Sequence, residues 1–359
     1  MAVILNAAEG SFSQSIKLRG LADTVGFAHE KWQMDSIANR IEREYGTYLD
    51  FAWKRNNISS KDEWKLAVCP HDDYAYASYM YPLVLRNVKA KTIILFGVAH
   101  KAKQFNLQDK IIFDSFTHWN GCYGKIKCSP LREKIISQLP KSIYEMNDSM
   151  QAIEHSVEGI LPFIQYNNKN IEIISILVPY NSFEKMDSMA KPLASAIASV
   201  MKEKKLKWGS DISIVISNDA IHYGDEDWGG KDLAPFGTGT EGQKGAMGKE
   251  SEIIQQCFSD TLTREKAQLF SEYTVLKEDY KQYLWTWCGR YSVPMGMLTA
   301  FYLGKEFNTS LYPVVLDYSS SISNPADGGK HLKVDDLKMG TTAPANLRHW
   351  VGYASIGFR

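Results

Sequence analysis

From residue 64 onward the chain alternates short, almost continuously apolar runs with longer amphipathic stretches. The apolar runs cover residues 64–69, 92–97, 171–178, 211–217, 311–318 and 350–357. The amphipathic stretches lie near residues 77–88, 130–139, 153–167, 186–206, 248–258 and 292–304. Buried strands separated by helices are typical of parallel sheets, because each crossover places a helix on a face of the sheet. The sequence therefore predicts an α/β fold with a largely parallel central sheet and helices on both faces.

The first 63 residues do not follow this alternation. Residues 23–45 carry apolar side chains at near-helical spacing, and Gly46 follows as the expected end of that helix. The opening residues lack the basic region of a secretory leader. We interpret residues 1–63 as an N-terminal helical extension packed on the body, and residues 64–359 as a single α/β domain.

Charge and cysteine content exclude several classes of function. Lys and Arg together number 41, as do Asp and Glu, so the net charge is zero and neither nucleic acid nor an anionic membrane is the expected partner. The sequence contains no run of eighteen apolar residues, so it predicts no transmembrane helix. The five cysteines are an odd number without a CxxC motif, which favours a reducing compartment and a cytoplasmic location. An export leader already removed would leave no trace in this sequence.

Polar side chains follow three of the predicted strands. They are His71, Asp72 and Asp73 after 64–69, His100 after 92–97, and Asp219 and His222 after 211–217. Ligands of open α/β sheets bind beyond the carboxyl ends of the strands, so we expect these side chains to border a site. Each also has an ordinary interpretation as a surface turn, an exposed loop histidine, an Asx turn or a core histidine.

Two further polar groups lie outside the strand ends. Glu154 and His155 open a helical stretch, where a helix N-terminus would equally explain them. Cys288 and Arg290 follow an aromatic run, and Cys288 alone would suit a buried thiol. Imidazole, carboxylate and thiolate together are ligands for iron, copper or zinc. The sequence therefore predicts a metal site, although the long-range spacing leaves the choice of ligands open.

Residues 224–248 are rich in glycine and contain GTGTEG at 237–242, which matches the form GxGxxG. No strand leads into this motif and no βαβ unit surrounds it, so we reject a dinucleotide site. We expect residues 225–247 to be a mobile loop beside His222, either a lid over the site or a surface insertion.

Five motifs in order resemble the Memo family, also called AmmeMemoRadiSam system protein B. They are PHDDYAY, GVAH, EHSVEGILPF, SNDAIHYGD and CGRYSVPMGML, and they span about residues 66–303. Near the C-terminus, VGYASIGF is similar to the closing strand of that family. The resemblance implies a fold related to the LigB-type, class III extradiol dioxygenases, which use non-haem iron.

The resemblance also implies a role for each candidate residue. It places the metal ligands on His71, His100 and Cys288, an acid–base histidine at His222, and Asp219 in the same pocket. The remaining candidates would form the surroundings of the metal or the pocket wall: Asp72, Asp73, Glu154, His155 and Arg290. The family commonly shows PHAGY and GPSH, where this chain has PHDDY and GVAH. The two added carboxylates favour a cationic substrate or a second hard ion.

These observations imply a Memo-like protein with one metal ion, iron or copper favoured and zinc possible, in a redox, dioxygenase-like site for a small molecule or peptide. Whether the protein is an enzyme stays open, because two alternatives fit the same residues. One is a hydrolase using zinc, or Cys288 as a nucleophile with His222 as its base. The other is a non-catalytic scaffold for a partner, for which the family suggests radical-SAM and AMMECR1-like proteins. Its groove would be lined by aromatic residues: Tyr74, Tyr76, Trp119, Trp228 and Tyr291.

Overall fold

A computed structural model describes residues 15–226, 233–323, 331–342 and 345–359. Its strands are β1 (Leu18–Arg19), β2 (Leu66–Cys69), β3 (Thr92–Val98), β4 (Ile111–Phe113), β5 (His118–Trp119), β6 (Ile126–Cys128), β7 (Tyr144–Met146), β8 (Glu172–Val178), β9 (Ile212–Ser217), β10 (His222–Gly224), β11 (Pro313–Ser320) and β12 (His349–Phe358). Its α-helices are α1 (Lys31–Arg55), α2 (Tyr74–Ala77), α3 (Met80–Leu85), α4 (Leu131–Ile136), α5 (Asp148–Ala152), α6 (Leu161–Asn167), α7 (Phe183–Lys204), α8 (Thr240–Cys257), α9 (Arg264–Thr274) and α10 (Ser292–Glu306). Among these helices, none combines the length and the apolar character needed to cross a membrane.

The strands form one large sheet with a parallel centre. Along its main path the order is β1-β5-β6-β8-β3-β9-β2-β12-β10. The central strands β8, β3, β9 and β2 pair in parallel, whereas β12 runs antiparallel to β2 and pairs with β10 and β11 in the same antiparallel sense. The predicted α/β fold with a largely parallel central sheet is therefore confirmed, with an antiparallel edge built from the C-terminal strands.

Alternating side chains of each central strand enter two separate cores, as the pleat of a β-strand requires. On β3, Ile93 and Leu95 pack into a core that includes side chains of α1, α3 and α6. Ile94 and Phe96 point the other way, into a core that includes α7, α8, α9 and α10. Both faces of the sheet are covered, which leaves the ends of the strands as the place for a site.

The N-terminal helix begins and ends later than the sequence predicts. It covers Lys31–Arg55 and runs through Gly46 instead of stopping there. An interior glycine costs about 1 kcal/mol of helix stability, but the buried stripe continues through Tyr45, Leu49 and Trp53. Burial of this stripe outweighs the local preference of glycine. The segment before it also joins the sheet, because β1 pairs with β5, a contribution that the helical interpretation of this region missed.

The glycine-rich stretch is only partly a loop. Helix α8 begins at Thr240, so the last third of residues 225–247 is helical. The Tyr223 hydroxyl donates a hydrogen bond to the carbonyl of Gly237 at 2.7 Å, which fastens the approach to the helix. Residues 227–232, with Trp228 among them, lie outside the described residues.

Candidate metal centre

Three neighbouring strands bring the predicted residues to one edge of the sheet. His71 follows β2, Asp219 follows β9 and His100 follows β3, each two residues beyond the strand end. Because these strands are parallel neighbours, the side chains meet over the sheet edge, and the His71 backbone N–H donates to Asp219 Oδ1 at 2.8 Å. Strand β12 runs the opposite way, so its first residue, His349, reaches the same edge. These four residues line a cavity of about 450 Å³.

The His71 imidazole is held as one tautomer by a two-step hydrogen-bond chain. Its Nδ1 lies 2.8 Å from Ser217 Oγ, and the Ser217 hydroxyl lies 2.6 Å from the carbonyl of Ser156. The carbonyl can only accept, so Ser217 donates its single proton there and accepts one from His71 Nδ1–H. Burial, with the nearby imidazoles of His100 and His155, holds the pKa of His71 well below its usual value. His71 is therefore neutral, with the lone pair on Nε2.

The His100 imidazole is oriented by a buried carboxylate. Glu154 Oε1 lies 2.8 Å from His100 Nδ1, and Glu154 Oε2 accepts the His100 backbone N–H at 2.8 Å. Burial alone would raise the pKa of Glu154, but the imidazoles of His100 and His155 and the Ser156 N–H hold it at about 2. The ionised carboxylate accepts from Nδ1–H, so His100 also presents Nε2 as a ligand. A carboxylate behind a histidine is a common support for a metal-binding imidazole.

Cys288 lies at the buried base of this group. Its Sγ accepts the Asp219 backbone N–H at 3.1 Å and lies 3.5 Å from His71 Nε2. The Gly289 N–H donates to Asn218 Oδ1 at 3.0 Å, and any Cβ on Gly289 would overlap that side chain. Burial and the Asp219 carboxylate raise the pKa of the Cys288 thiol well above its usual value. Without a cation beside it, Cys288 is a thiol rather than a thiolate nucleophile.

The donor atoms of His71, His100 and Cys288 all lie within 4.8 Å of one another. Two imidazole nitrogens whose other nitrogen is already hydrogen-bonded, plus a sulfur that only a cation would ionise, fit a bound metal ion. Three protein ligands would leave positions open for water or substrate. A second group, formed by His100, Glu154 and His155, is equally compact. However, Glu154 Oε1 is already hydrogen-bonded to His100 Nδ1 and to the Ser156 backbone N–H.

His222 and Asp219 both lie in the cavity wall. His222 Nδ1 lies 3.3 Å from the carbonyl of Ala220, which can only accept, so the proton is on Nδ1. Burial lowers the pKa of His222 to about 4, so the imidazole is neutral at pH 7 with its lone pair on Nε2. Asp219 Oδ2 lies 3.3 Å from His71 Nε2, and burial raises the pKa of Asp219 well above its usual value. His222 can thus accept a proton inside the cavity.

His155 lies on the outer side of the histidine group. Its ring stacks on His100 with the ring centres 4.7 Å apart and the planes 11° from parallel. About a third of its side chain is exposed, and burial of the rest, with the nearby His100 imidazole, lowers its pKa to about 4. The residue borders the cavity and shields one face of His100 from solvent.

The adjacent acids Asp72 and Asp73 have different partners. Asp72 Oδ2 accepts the Tyr353 hydroxyl at 2.6 Å, whereas Asp73 Oδ2 accepts the Thr342 backbone N–H at 2.6 Å. Gly26, at φ +82°, lies against Asp73 Oδ1, and a Cβ there would overlap that oxygen. Burial and the Asp72 charge raise the pKa of Asp73 to about 7. The N-terminal extension and the C-terminal segment therefore meet at Asp73.

Arg290 and most of the expected aromatic residues do not border this cavity. Arg290 packs its guanidinium over the Tyr283 ring at 3.4 Å and near the Tyr291 ring at 4.7 Å. Tyr74 and Trp119 are core residues. Within the described residues, Tyr76 is the single member of the expected aromatic set that lines the cavity. The placement of Arg290 in the pocket wall is corrected, because its side chain turns from Cys288 toward these tyrosines.

Reasoning from the sequence missed several residues that line the cavity or hydrogen-bond to the residues that line it. Ser217 ends β9 as a polar residue in an apolar run, a signal that could have identified it. Asp23 and Phe27 come from the N-terminal extension, and His349 and Tyr353 come from β12. These four carry no local signal, because an antiparallel strand and an extension bring them in.

Comparison with known proteins identifies the family. The family model described as Memo-like protein matches residues 39–327. A MEMO1 family protein of Pyrococcus furiosus is 25% identical over 166 residues, which is 44% of this chain and 52% of that protein. MEMO1 family proteins of Pyrococcus abyssi and Saccharolobus islandicus are 27% and 28% identical over 161 and 163 residues, with the same coverage. The chain spans about half the length of the curated relatives it matches. It belongs to the Memo-like protein family.

Proposed function

We propose that this protein binds one metal ion, iron or copper, and uses it in redox, dioxygenase-like chemistry on a small molecule held in the cavity. The ligands are His71 Nε2, His100 Nε2 and Cys288 Sγ. One observation carries the proposal: three donor atoms from three separate segments converge within 4.8 Å. Both imidazoles, in addition, are held in the tautomer that a metal requires.

The chain's own residues would divide the remaining work. The bound metal would supply a redox-active centre with open positions for oxygen or substrate. His222 accepts a proton at Nε2 from a substrate hydroxyl and later returns it, a role that suits a neutral imidazole beside the ligands. Ser217 and Glu154 hold the ligand imidazoles in place. Asp219 holds the His71 backbone and contacts Cys288 through its own backbone N–H.

The hydrolase alternative separates into two parts. A nucleophilic Cys288 is disfavoured, because its buried thiol has a pKa raised well above the usual value. A zinc ion would accept the same three ligands, since zinc binds imidazole and thiolate readily. Oxygen consumption with ascorbate as reductant distinguishes a redox-active ion, iron or copper, from zinc. The iron- or copper-loaded protein should consume oxygen faster than the zinc-loaded protein and faster than the free ions.

Cobalt(II) titration followed by absorption tests the ligand set directly. Metal-free protein should develop a thiolate-to-cobalt charge-transfer band that saturates at about one equivalent. Cys288→Ala should lose the band. Cys257→Ala is the matched control, because Cys257 is also a buried cysteine with a raised pKa, and it should retain the band. A band that persists in Cys288→Ala would remove Cys288 from the proposed ligands.

A further inference from the structure

One short loop supports both histidines of the proposed metal centre. It joins α5 to α6 and covers residues 153–160. The Glu154 carboxylate in this loop bonds the His100 imidazole at 2.8 Å. Two residues further on, the Ser156 carbonyl accepts the Ser217 hydroxyl, which in turn holds the imidazole of the other proposed histidine ligand. The orientation of both imidazoles therefore depends on where the backbone of this loop lies.

Arg19, in strand β1, is hydrogen-bonded to the backbone at the start of this loop. Its side chain is buried, with the residue 1% exposed. Its Nη2 donates to the Glu154 carbonyl at 2.6 Å, and its Nε donates to the Gln151 carbonyl at 3.0 Å. A guanidinium has five N–H donors in one rigid plane, so it can hold two carbonyls at a fixed separation, which the single nitrogen of a lysine cannot do. Arg19 thus fixes the backbone from which the Glu154 side chain extends.

The Arg19 side chain is itself held in place. Its Nη1 lies 3.1 Å from Glu158 Oε2, and both side chains are buried. Its guanidinium lies over the Trp119 ring, 4.1 Å from the ring centre. The Ala22 backbone N–H donates to Glu158 at 2.8 Å, which ties the same carboxylate to the N-terminal segment. A buried guanidinium that is both ion-paired and stacked has little freedom, so its donors have defined positions.

We infer that Arg19 is a positioning residue of the metal centre: by holding the Glu154 carbonyl, it fixes the Glu154 carboxylate behind His100. This inference rests on the proposed function, because His100 is one of the proposed ligands. Arg19 precedes residue 39, where the match to the family model begins. The inference therefore gives the N-terminal extension a part in orienting a ligand. If Arg19 only stabilised the fold, its substitution would lower stability without a specific change at His100.

The ring-nitrogen spectrum of metal-free protein tests this inference without any bound metal. In protein labelled with nitrogen-15 at its histidines, wild-type His100 should show the tautomer with the proton on Nδ1 at pH 8. Arg19→Lys keeps the positive charge but cannot donate to both carbonyls. The Glu154 carboxylate should then move, and the His100 signals should shift to those of a mixture of the two tautomers. His222 is the internal control, because its proton is held by the Ala220 carbonyl, and its signals should not shift.

Arg132→Lys is the matched control variant. Arg132 is also a buried arginine that pairs with a carboxylate, Asp114, and donates to a backbone carbonyl, that of Phe116, at 2.8 Å. Among the described residues, none of its hydrogen bonds reaches residues 151–158. Arg132→Lys should lower stability in urea as Arg19→Lys does, and the His100 signals should stay as in wild type.

Two results would overturn the inference. One is unchanged His100 signals in folded Arg19→Lys protein. The other is a shift of His100 in Arg132→Lys as large as in Arg19→Lys, or an equal shift of His222, because either would mean a general loosening of the fold.

Glu158→Gln carries the test if Arg19→Lys does not fold. The neutral amide keeps the shape of the side chain but removes the charge that pairs with Arg19. The His100 signals should therefore shift in the same direction as expected for Arg19→Lys, but by less. Unchanged His100 signals in Glu158→Gln would then overturn the inference.

Cobalt(II) binding gives a second readout that separates this inference from the proposed metal centre. Loss of an outer partner of a ligand histidine typically weakens metal binding by about 10- to 100-fold, and Arg19 acts one step further out. Arg19→Lys should therefore bind cobalt(II) about three- to tenfold more weakly than wild type and retain the charge-transfer band of Cys288. Wild-type protein that bound no cobalt(II) would contradict the metal centre, whereas the histidine spectrum would still decide the role of Arg19.

Discussion

Two buried acidic regions of this molecule are built on opposite plans. Glu250 on α8 is fully buried and accepts the Trp285 and Trp287 indole N–H groups at 2.6 Å each, the Tyr318 hydroxyl at 2.8 Å and the Ile221 N–H at 3.3 Å. At the cavity wall, Asp73 has one oxygen without a hydrogen-bond partner among the described residues. The first carboxylate is fully hydrogen-bonded by the protein, whereas one oxygen of the second packs against Gly26. The two buried acids therefore differ in how much of their burial cost the surrounding hydrogen bonds offset.

The largest expected effect comes from removing the Glu250 carboxylate, the fully hydrogen-bonded buried acid. Glu250→Ala leaves two indole N–H groups and a tyrosine hydroxyl buried without acceptors, so the free energy of unfolding should fall by about 3–5 kcal/mol. Urea unfolding followed by tryptophan fluorescence measures the loss. Glu252→Ala, on the same helix but exposed, should change stability by less than about 0.5 kcal/mol. Equal losses of stability in Glu250→Ala and Glu252→Ala would show that the hydrogen bonds of Glu250 do not stabilise the fold.

An intermediate effect is expected at the hydrogen bond behind His71. Ser217→Ala removes the acceptor of His71 Nδ1–H, so the affinity for cobalt(II) should fall by about 10- to 100-fold. Competition with a chromophoric chelator measures it. Ser213→Ala is a matched control on the same strand, because its hydroxyl is buried and bonds only to backbone carbonyls. Unchanged affinity in Ser217→Ala would show that the tautomer of His71 does not depend on its hydrogen bond to Ser217.

The last prediction concerns Asp73 and the pH dependence of the free energy of unfolding. Burial and Asp72 raise the pKa of Asp73 to about 7 in the folded protein, above the value near 3.9 expected when unfolded. Between these values the folded state binds more protons, so stability falls as pH rises. Asp73→Asn should therefore be more stable than wild type at pH 8 and differ little from it at pH 4.

This comparison is made on metal-free protein by urea unfolding at both pH values. Asp50→Asn, an exposed substitution on α1, should show no pH-dependent difference from wild type. A pH-independent difference for Asp73→Asn would mean that Asp73 gains no protons on folding.

The sequence predicts those parts of the site that depend on parallel strands. His71, His100 and Asp219 follow strand ends, and neighbouring parallel strands end at one edge, so their meeting follows from the fold. Cys288 was assigned only through the family resemblance, because its loop reaches the site through contacts with residues 218 and 219. Such contacts leave no periodic signal in the sequence.

Other features could not be predicted, because tertiary packing overrides local preference. The helix through Gly46 is retained by its buried stripe. His349 reaches the cavity on an antiparallel strand, and Asp23 lies far from every motif. Arg290 was misplaced because proximity to Cys288 in sequence does not fix the direction of a side chain. The association with radical-SAM and AMMECR1-like proteins stays a prediction.

Metal content tests the central claim most directly. Protein purified without oxygen should contain about one iron or copper ion per chain by mass spectrometry. His71→Ala and Cys288→Ala should lose it, whereas the control variants His118→Ala and Cys257→Ala should retain it. Absence of stoichiometric metal in the wild type, or its full retention in Cys288→Ala, would contradict the proposed metal centre.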